Sequence, residues 1–230
     1  VRMKEKLAAI GEMAALLAHE IRNPLSSISG SAQVLIAEGT MSAEQECLLA
    51  IIRRESQRLV ETLNDFLGQV RPLAKVGGPV DLRVVISNAV SLLRNGPEVG
   101  ANNHVELVVD EGSYLCRANA DQVMQVFWNL ARNGLEAMPD GGTLTVRLSR
   151  EAAYILLIVD DEGKGMEAAR LARAFEPFET SSLRGIGLGL AIVYRIVREH
   201  GGDIAITSGP ERGTRVEVRW PAASEGEPAA

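Results

Sequence analysis

The stretch that decides the fold of the second half of the chain is ADQVMQVFWNLARNGLEAM, residues 120–138. Val126, Leu130 and Ala137 recur at the spacing of one helix face, so the stretch predicts a helix with a buried side. Because strand patterns occur on both sides of this helix, we expect the second half of the chain to combine a sheet with helices.

Two further helices and five strands are predicted around it. The helices are expected at about Leu82–Leu93 and Gly187–His200, and the strands at His104–Val109, Gly142–Arg150, Tyr154–Asp160, Asp203–Ser208 and Thr214–Trp220. This order predicts an α+β domain in which helices cover a sheet.

The first third of the chain has the apolar repeat of a helical bundle. Residues recur at alternating steps of three and four, the spacing of a four-helix-bundle seam. The first run is Leu7, Ile10, Ala14, Leu17, Ile21, Pro24, Ile28, Ser31 and Leu35, and the second is Leu49, Ile52, Ser56, Leu59, Leu63, Phe66 and Val70. Ser42 follows a turn and is expected to cap the second helix. The pattern predicts an antiparallel hairpin with a half-covered seam, which dimerisation into a four-helix bundle would complete.

Composition divides the chain into two domains. Residues 72–79, PLAKVGGP, carry two prolines and two glycines, which end the second helix and make a linker. We expect a helical domain over residues 1–72, a linker over 73–80, an α+β domain over 81–221 and a disordered tail over 222–230.

The composition also excludes several classes of protein. Of the 230 residues 46% are hydrophobic, which is enough to give each of two domains a core. The 24 basic and 30 acidic residues give a formal net charge of −6, which argues against a nucleic-acid-binding protein.

The sequence predicts the cytoplasmic part of a longer protein. No apolar run is long enough to span a membrane, and the first residues do not resemble a signal peptide. The helical pattern begins at once after Val1, so we expect a fragment of a longer protein whose upstream part could be membranous. Cys47 and Cys116 lack the spacing of metal ligands and predict two free thiols in a reducing compartment.

His19 is the first candidate functional residue. With Leu7 at heptad position a, His19 falls at position f and points away from a bundle core. Glu20 is adjacent, and Asn23 lies one turn further along the same face. Asn23 replaces the second histidine of a zinc protease motif, so we expect no zinc site. A carboxylate-oriented imidazole is a nucleophile, although an isolated surface histidine has no function in most proteins.

Three groups in the second half are candidates for a phosphate or nucleotide site. Asn129 and Asn133 share a helix face, where two amides can hold hydrated Mg²⁺ or phosphate oxygens. DEGKG at residues 161–165 places a carboxylate and two glycines after a strand, and GIGLG at 185–189 leads into a helix N-terminus. Each group has a plain alternative, namely amides at the edge of the core, a strand-end turn or a flexible loop.

Five motifs follow one another along the chain. They are LAHEIRNPL at residues 17–25, Asn129 with Asn133, DEGKG at 161–165, FEPF at 175–178 and GIGLG at 185–189. Their order resembles the two-domain catalytic core of bacterial sensor histidine kinases, over about residues 3–220, and is most similar to the nitrogen-regulator and pilus-regulator kinases. The resemblance implies a dimerising phosphotransfer hairpin followed by an α/β-sandwich ATP-binding domain, the Bergerat or GHKL fold of gyrase and the heat-shock chaperones.

In the first domain, the resemblance implies that His19 is the phosphoacceptor and that Glu20 orients and deprotonates it. Asn23 resembles the residue that positions water when such kinases dephosphorylate their partner. The implied activity is ATP-dependent autophosphorylation of His19 in a homodimer, followed by transfer to an aspartate on the receiver domain of a response regulator.

In the second domain, the resemblance implies ATP and Mg²⁺ as cofactors. Asn133 would coordinate Mg²⁺, Asn129 would contact the phosphates and Asp161 would bind the adenine amine. The other implied nucleotide-binding residues are Arg132, Gly163, Gly165, Phe178, Gly185, Gly187, Leu188 and Gly189, whose glycines shape the base pocket and the foot of a lid.

Two alternatives to a kinase remain at this point. Hydrolytic relatives of this fold carry Glu in place of Asn129, and an amide cannot act as general base for water, which disfavours a plain ATPase. The lid residues 179–184 lack the Thr-Thr-Lys that is common in the subfamily, and Glu136 stands where many of these kinases have Lys. A non-catalytic dimeric docking module with a degenerate ATP site is therefore the main alternative.

Overall fold

The structure is a computed structural model that describes residues 21, 25–30, 32–36, 42–70, 78–96, 98–176, 179 and 187–223. The chain divides into two compact units, Val1–Pro72 and Leu73–Ala230. Among the helices in these described ranges, none combines the length and apolarity that crossing a bilayer requires.

The first unit is helical where it is described. Residues 25–30 and 32–36 are helical, and helix α1 spans Ala43–Val70. Ser42 caps α1 as the sequence predicts: its Oγ accepts a hydrogen bond from the Gln45 N–H (3.3 Å), and its own N–H donates to Oε1 of Gln45 (2.9 Å). This reciprocal capping box satisfies two backbone N–H groups where the helix begins.

The predicted bundle seam is only partly covered within one chain. Ser56 of that seam is buried, and so are Leu25 and Ala32, each one residue beyond a predicted seam position. Five apolar seam residues remain between 42% and 51% exposed, namely Ile21, Ile28, Leu35, Ile52 and Leu59. Apolar side chains left in water at seam spacing favour burial against a second copy.

The second unit has an α+β fold, as predicted. Its helices are α2 (Leu82–Arg94), α3 (Ala120–Ala137), α4 (Ala168–Leu171) and α5 (Gly189–Glu199). Its strands are β1 (Pro79–Asp81), β2 (Asn103–Val109), β3 (Leu115–Arg117), β4 (Gly142–Glu151), β5 (Tyr154–Asp161), β6 (Asp203–Ser208) and β7 (Thr214–Pro221). Every predicted helix and strand of this unit is present, with ends within two residues of the expected ones.

Five strands form the main sheet, in the order β2-β4-β5-β7-β6. β2 runs parallel to β4, and the other neighbours are antiparallel. Alternate side chains of β4 and β5 are buried under the helices, namely Leu144, Val146, Leu148, Ile155, Leu157 and Val159. α3 packs on β4 and β5 and also contacts α2 and α5, so it occupies the centre of the helical layer.

Two residues that the sequence assigned to the linker lie in a strand instead. Pro79 and Val80, which the sequence assigned to the linker, belong to β1 and pair with Arg117 and Cys116 of β3. Because β1 and β3 have three residues each, neither is long enough to show an alternating pattern. Their strand conformation is instead defined by their pairing with each other, which joins residues that are far apart in the chain.

Two residues that the sequence assigned to the tail, Ala222 and Ala223, are bonded to the folded unit. The Ala222 N–H donates to the Ala153 carbonyl oxygen (3.0 Å), and the Ala223 N–H donates to the Leu115 carbonyl oxygen (2.8 Å). Ala222 is thus bound to the turn between β4 and β5, and Ala223 is bound to β3. Residues 224–230 lie outside the described ranges.

Both cysteines are free thiols, as predicted. Cys47 is exposed on α1, whereas Cys116 is buried in β3. Burial raises the pKa of the Cys116 thiol to about 12, and the nearby Asp81 carboxylate adds to the effect. Cys116 is therefore an unreactive core residue, since the thiolate is the reactive form.

Candidate functional site

Asp161 ends β5 and is a buried residue, only 9% exposed. Its Oδ1 accepts hydrogen bonds from the backbone N–H groups of Gly163 (2.9 Å) and Thr214 (3.2 Å). Burial raises the pKa of this carboxyl to about 6; the two backbone hydrogen bonds oppose the rise, and the charge of Asp160 adds to it. Because both backbone donors bind Oδ1, Oδ2 can accept a hydrogen bond from a ligand.

The glycine turn after Asp161 packs against the end of α3. A Cβ on Gly163 would lie 2.6 Å from both the Cβ and the carbonyl oxygen of Ala137. The Lys164 N–H donates to that same carbonyl oxygen (3.1 Å). Gly165 has a φ of +63°, and a Cβ there would overlap the carbonyl oxygen of Gly209. Glycine is thus required at both positions for the chain to pass so closely.

α3 presents the amide pair. The helix begins at Asn119, whose Oδ1 accepts from the backbone N–H groups of Asp121 (3.0 Å) and Gln122 (3.2 Å). Ten residues on, Asn129 is half-buried, and its Nδ2 donates to the Gln125 carbonyl oxygen (2.9 Å). Asn133 is exposed on the next turn, so its amide is available to a ligand.

The start of α5 lies against this amide pair. Gly187 has a φ of +73°, and the buried Leu188 is the N-cap of α5 without a side-chain capping bond. A Cβ on Gly189 would lie 3.1 Å from Oδ1 of Asn129 and 3.6 Å from Nδ2 of Asn133. The helix therefore begins with backbone N–H groups close to two amides, an arrangement that suits a phosphate.

Three predicted motifs thus meet along one helix. A Cβ on Gly189 would meet Asn129 and Asn133, and a Cβ on Gly163 would meet Ala137. A Cβ on Gly134 would lie 3.6 Å from Oδ2 of Asp161. From Asn129 to Ala137 the helix rises about 12 Å. The Asp161 carboxyl, the amides of Asn129 and Asn133, and backbone positions that require glycine therefore lie along one side of α3.

Five of the predicted site residues lie outside the described residues, namely His19, Glu20, Asn23, Phe178 and Gly185.

Arg132 is exposed on α3. Phe175, which was expected to flank the lid, packs against Tyr194 of α5 with ring centroids 5.4 Å apart. Through this contact, the part of the chain that precedes the lid segment packs on α5.

Sequence reasoning missed Gly134 and Thr214. Gly134 leaves room for the Asp161 carboxyl beside α3, and Thr214 donates to that carboxyl from β7. The only signal in the sequence was a glycine inside a helix pattern, which usually has a packing reason. Thr214 gave none, because its role follows from the pairing of Asp161 with Thr214 across β5 and β7.

Comparisons with known families agree with these two units. Residues 9–72 match the His Kinase A (phospho-acceptor) domain, and residues 118–224 match the family described as histidine kinase-, DNA gyrase B-, and HSP90-like ATPase. Together the two matches span most of the chain.

Relatives of known class are similar along almost the whole chain. It is 34% identical over 223 residues to the sensor histidine kinase ZraS of Escherichia coli (strain K12), covering 96% of this chain and 47% of that protein. It is 37% identical over 218 residues to sporulation kinase D of Bacillus subtilis (strain 168), covering 94% of this chain and 43% of that protein. The chain thus spans about half the length of the curated relatives it matches.

Solved structures show the same fold. Full-length ShkA in complex with AMPPNP superposes with a TM-score of 0.79 at 26% identity, over 96% of this chain and 47% of that one. The mycobacterial sensor histidine kinase MprB superposes with a TM-score of 0.55 at 26% identity, over 64% of this chain and 97% of that one.

Fold and site therefore define a two-domain protein in which a helical phosphoacceptor domain precedes an ATPase-type domain. The chain belongs to the family of sensor histidine kinases. The family predicted from the sequence is confirmed, and the narrower assignment to the nitrogen-regulator and pilus-regulator type stays a prediction.

Proposed function

We propose that this chain is the catalytic core of an ATP-dependent protein-histidine kinase that phosphorylates its own His19 and passes the group to an aspartate of a response regulator. The observation that carries the proposal is the convergence of Asp161, the Asn129 and Asn133 pair and Gly189 on one side of α3. This gives a base-binding carboxyl at one end of the site and phosphate-binding groups at the other.

Asp161 is the residue proposed to bind adenine. Its Oδ2 would accept a hydrogen bond from the exocyclic amine, while Oδ1 stays bound to Gly163 and Thr214. Gly163 and Gly165 would let the backbone pass close to the base, because neither residue has a side chain. Full-length ShkA, which has the same fold, was solved in complex with AMPPNP, and this supports a nucleotide as the ligand.

The first turn of α5 is proposed to bind the phosphates. Gly187, Leu188 and Gly189 would present backbone N–H groups, with Asn129, Arg132 and the lid residues Phe178 and Gly185 around them.

Asn133 is the residue proposed to hold Mg²⁺. The described residues contain no group of three or more His, Cys, Asp or Glu that could hold a metal ion. A single amide oxygen with phosphates and water is nevertheless a usual magnesium environment, so Asn133 fits. When bound, Mg²⁺ would neutralise charge that develops on the phosphates.

His19 is the proposed nucleophile. One imidazole nitrogen bonds to the terminal phosphorus, the bond from that phosphorus to the bridging oxygen breaks, and ADP leaves. The imidazole proton passes to Glu20, which orients the ring. Asn129 cannot deprotonate water, so the site favours transfer to His19 over hydrolysis. Asn23 is proposed to position water if the protein also dephosphorylates its regulator.

The hairpin is proposed to form the homodimer and to receive the regulator's receiver domain. The exposed apolar residues Ile28, Leu35, Ile52 and Leu59 support the homodimer, because a second copy would remove them from water. We place this core in the cytoplasm, downstream of a sensor domain.

The test is labelling with γ-labelled ATP and Mg²⁺. Wild-type protein should become labelled, and His19→Gln should not. His104→Gln, which changes an exposed histidine on β2, is the matched control and should label normally.

Label that survives His19→Gln would refute the phosphoacceptor assignment. Wild-type protein that binds ATP but never labels would favour the docking module, and release of phosphate without labelled protein would indicate a plain ATPase. Asn133→Asp should weaken Mg-ATP binding; an unchanged affinity would remove Asn133 from the site.

A further inference from the structure

His200 fastens the end of α5 to the beginning of α3. The ring is 7% exposed and follows the last residue of α5. Its Nε2 lies 3.3 Å from the backbone nitrogen of Asn119, the N-cap of α3, and its Nδ1 lies 2.8 Å from the Ile196 carbonyl oxygen. The edge of the ring packs on the buried Trp220, with centroids 5.3 Å apart.

The two contacts select one form of the ring. The Asn119 N–H is a donor, so Nε2 must be the unprotonated nitrogen that accepts from it. The Ile196 carbonyl is an acceptor, so Nδ1 must carry the proton. The neutral imidazole with its proton on Nδ1 satisfies both partners at once.

α5 is therefore held against α3 near both of its ends. Gly189 contacts Asn129 at the first turn of α5, and His200 contacts Asn119 after the last. The rise from Gly189 to His200 is about 16 Å, and the rise from Asn119 to Asn129 is about 15 Å. Because these spacings match, both contacts form at one position of α5 along α3, and sliding α5 would break them.

We propose that His200 is a positioning residue for the nucleotide site: its bond to the start of α3 sets the position of α5 along α3 and so holds Gly187 and Gly189 beside Asn129. The inference rests on the proposed nucleotide site and adds to it a residue at the opposite end of α5. His200 acts through the helix and touches no reacting group.

Three variants of the full chain separate this role from simple core packing. In His200→Gln, Oε1 can reach the place of Nε2 and accept from the Asn119 N–H. In His200→Asn, Nδ2 can replace Nδ1 and donate to Ile196, but the acceptor for Asn119 is lost. His200→Phe keeps the ring on Trp220 and loses both hydrogen bonds. Gln and Asn both remove the aromatic ring, so their melting temperatures should fall alike.

The measurements are the dissociation constant for ADP by calorimetry, the KM for ATP and the labelling rate at saturating ATP. We expect His200→Gln to bind ADP within about twofold of wild type. Asn and Phe, which both lose the hydrogen bond to Asn119, should bind ADP about threefold to tenfold more weakly. The KM for ATP should rise little in His200→Gln and more in the Asn and Phe variants. The labelling rate at saturating ATP should be unchanged.

Equal weakening by Gln and Asn, or no weakening in any variant while wild type binds ADP, would overturn the positioning role. If His200→Phe does not fold, the comparison between Gln and Asn still decides the matter. Wild-type protein that binds no ADP would instead remove the proposed nucleotide site, and this inference with it.

Discussion

Gly189, the first residue of α5, lies against Asn129, in the middle of α3: a Cβ on Gly189 would come within 3.1 Å of the Asn129 Oδ1. This close approach brings the start of α5 beside Asn129 and Asn133. The proposed phosphate site requires it, and a side chain on Gly189 would disturb it.

Gly189→Ala should weaken nucleotide binding more than it affects folding. The added methyl group pushes the Asn129 side chain aside, and we expect about a tenfold rise in the dissociation constant for ADP, equivalent to about 1.4 kcal/mol. The helical preference of Ala over Gly, about 0.5–1 kcal/mol, offsets part of the strain in the unfolding free energy.

The matched control is Gly30→Ala, since a Cβ on Gly30 would meet nothing within 4 Å. It should leave ADP binding unchanged. Calorimetry decides the point, and wild-type affinity in Gly189→Ala would show that this contact does not shape the site.

Asp161→Asn should make the protein more stable at neutral pH. Folding raises the pKa of this carboxyl from 3.8 to about 6, so its ionisation destabilises the folded state above pH about 6 and has no such effect below pH about 4. The variant should gain up to about 3 kcal/mol in unfolding free energy at pH 7.5.

Urea unfolding at pH 7.5 and pH 4 measures the gain, which should disappear at the lower pH. Asp140→Asn changes an exposed carboxylate in the turn after α3 and should have little effect. A variant that is less stable than wild type at pH 7.5 would contradict the prediction.

Adenosine binding should weaken as pH falls through about 6. Protonation turns Asp161 into a neutral acceptor, and hydrogen bonds to a charged acceptor are about twice as strong as those to a neutral one. Adenosine is the appropriate ligand because it has no phosphate groups that titrate in this range. NMR titration from pH 5 to pH 8 measures the effect, and an affinity that does not change with pH would exclude Asp161 as the base-binding acceptor.

Gly163→Ala should destabilise the second unit by about 1–3 kcal/mol, the usual cost of overpacking. The new Cβ would lie 2.6 Å from the Ala137 carbonyl oxygen, and helix backbone cannot move away as a side chain can. Gly209→Ala is the control, because its Cβ would meet only the Arg212 side chain, at 3.6 Å. Equal unfolding midpoints in urea for the two variants would show that the close approach is not needed.

Ile52→Lys should convert the proposed homodimer into a monomer. Ile52 is 42% exposed at a seam position of α1, and a charge there cannot be buried against a second copy without a large cost. Leu92→Lys on α2, where the native side chain is 60% exposed, is the control and should leave the mass unchanged. Light scattering after gel filtration gives the mass, and an Ile52→Lys protein that stays dimeric would place the interface elsewhere.

Much of the fold follows from local pattern. Helix α3, strand β6 and the Ser42 cap were predictable because their signals lie within a few consecutive residues: apolar spacing for α3 and β6, and a capping side chain for α1. β1 and β3 were not predictable, since three-residue strands are defined only by the partner they pair with.

The sequence by itself determined which chemical groups the site could contain: two amides one turn apart, a carboxylate after a strand, and glycines before a helix. Only the tertiary structure decided that Gly189 meets Asn129, that Gly134 and Thr214 surround Asp161, and that His200 binds Asn119. These contacts join residues that are between 27 and 81 positions apart in the chain. Helix periodicity carries information over a few turns at most, whereas contacts over such separations arise when the sheet pairs and the helices pack on it.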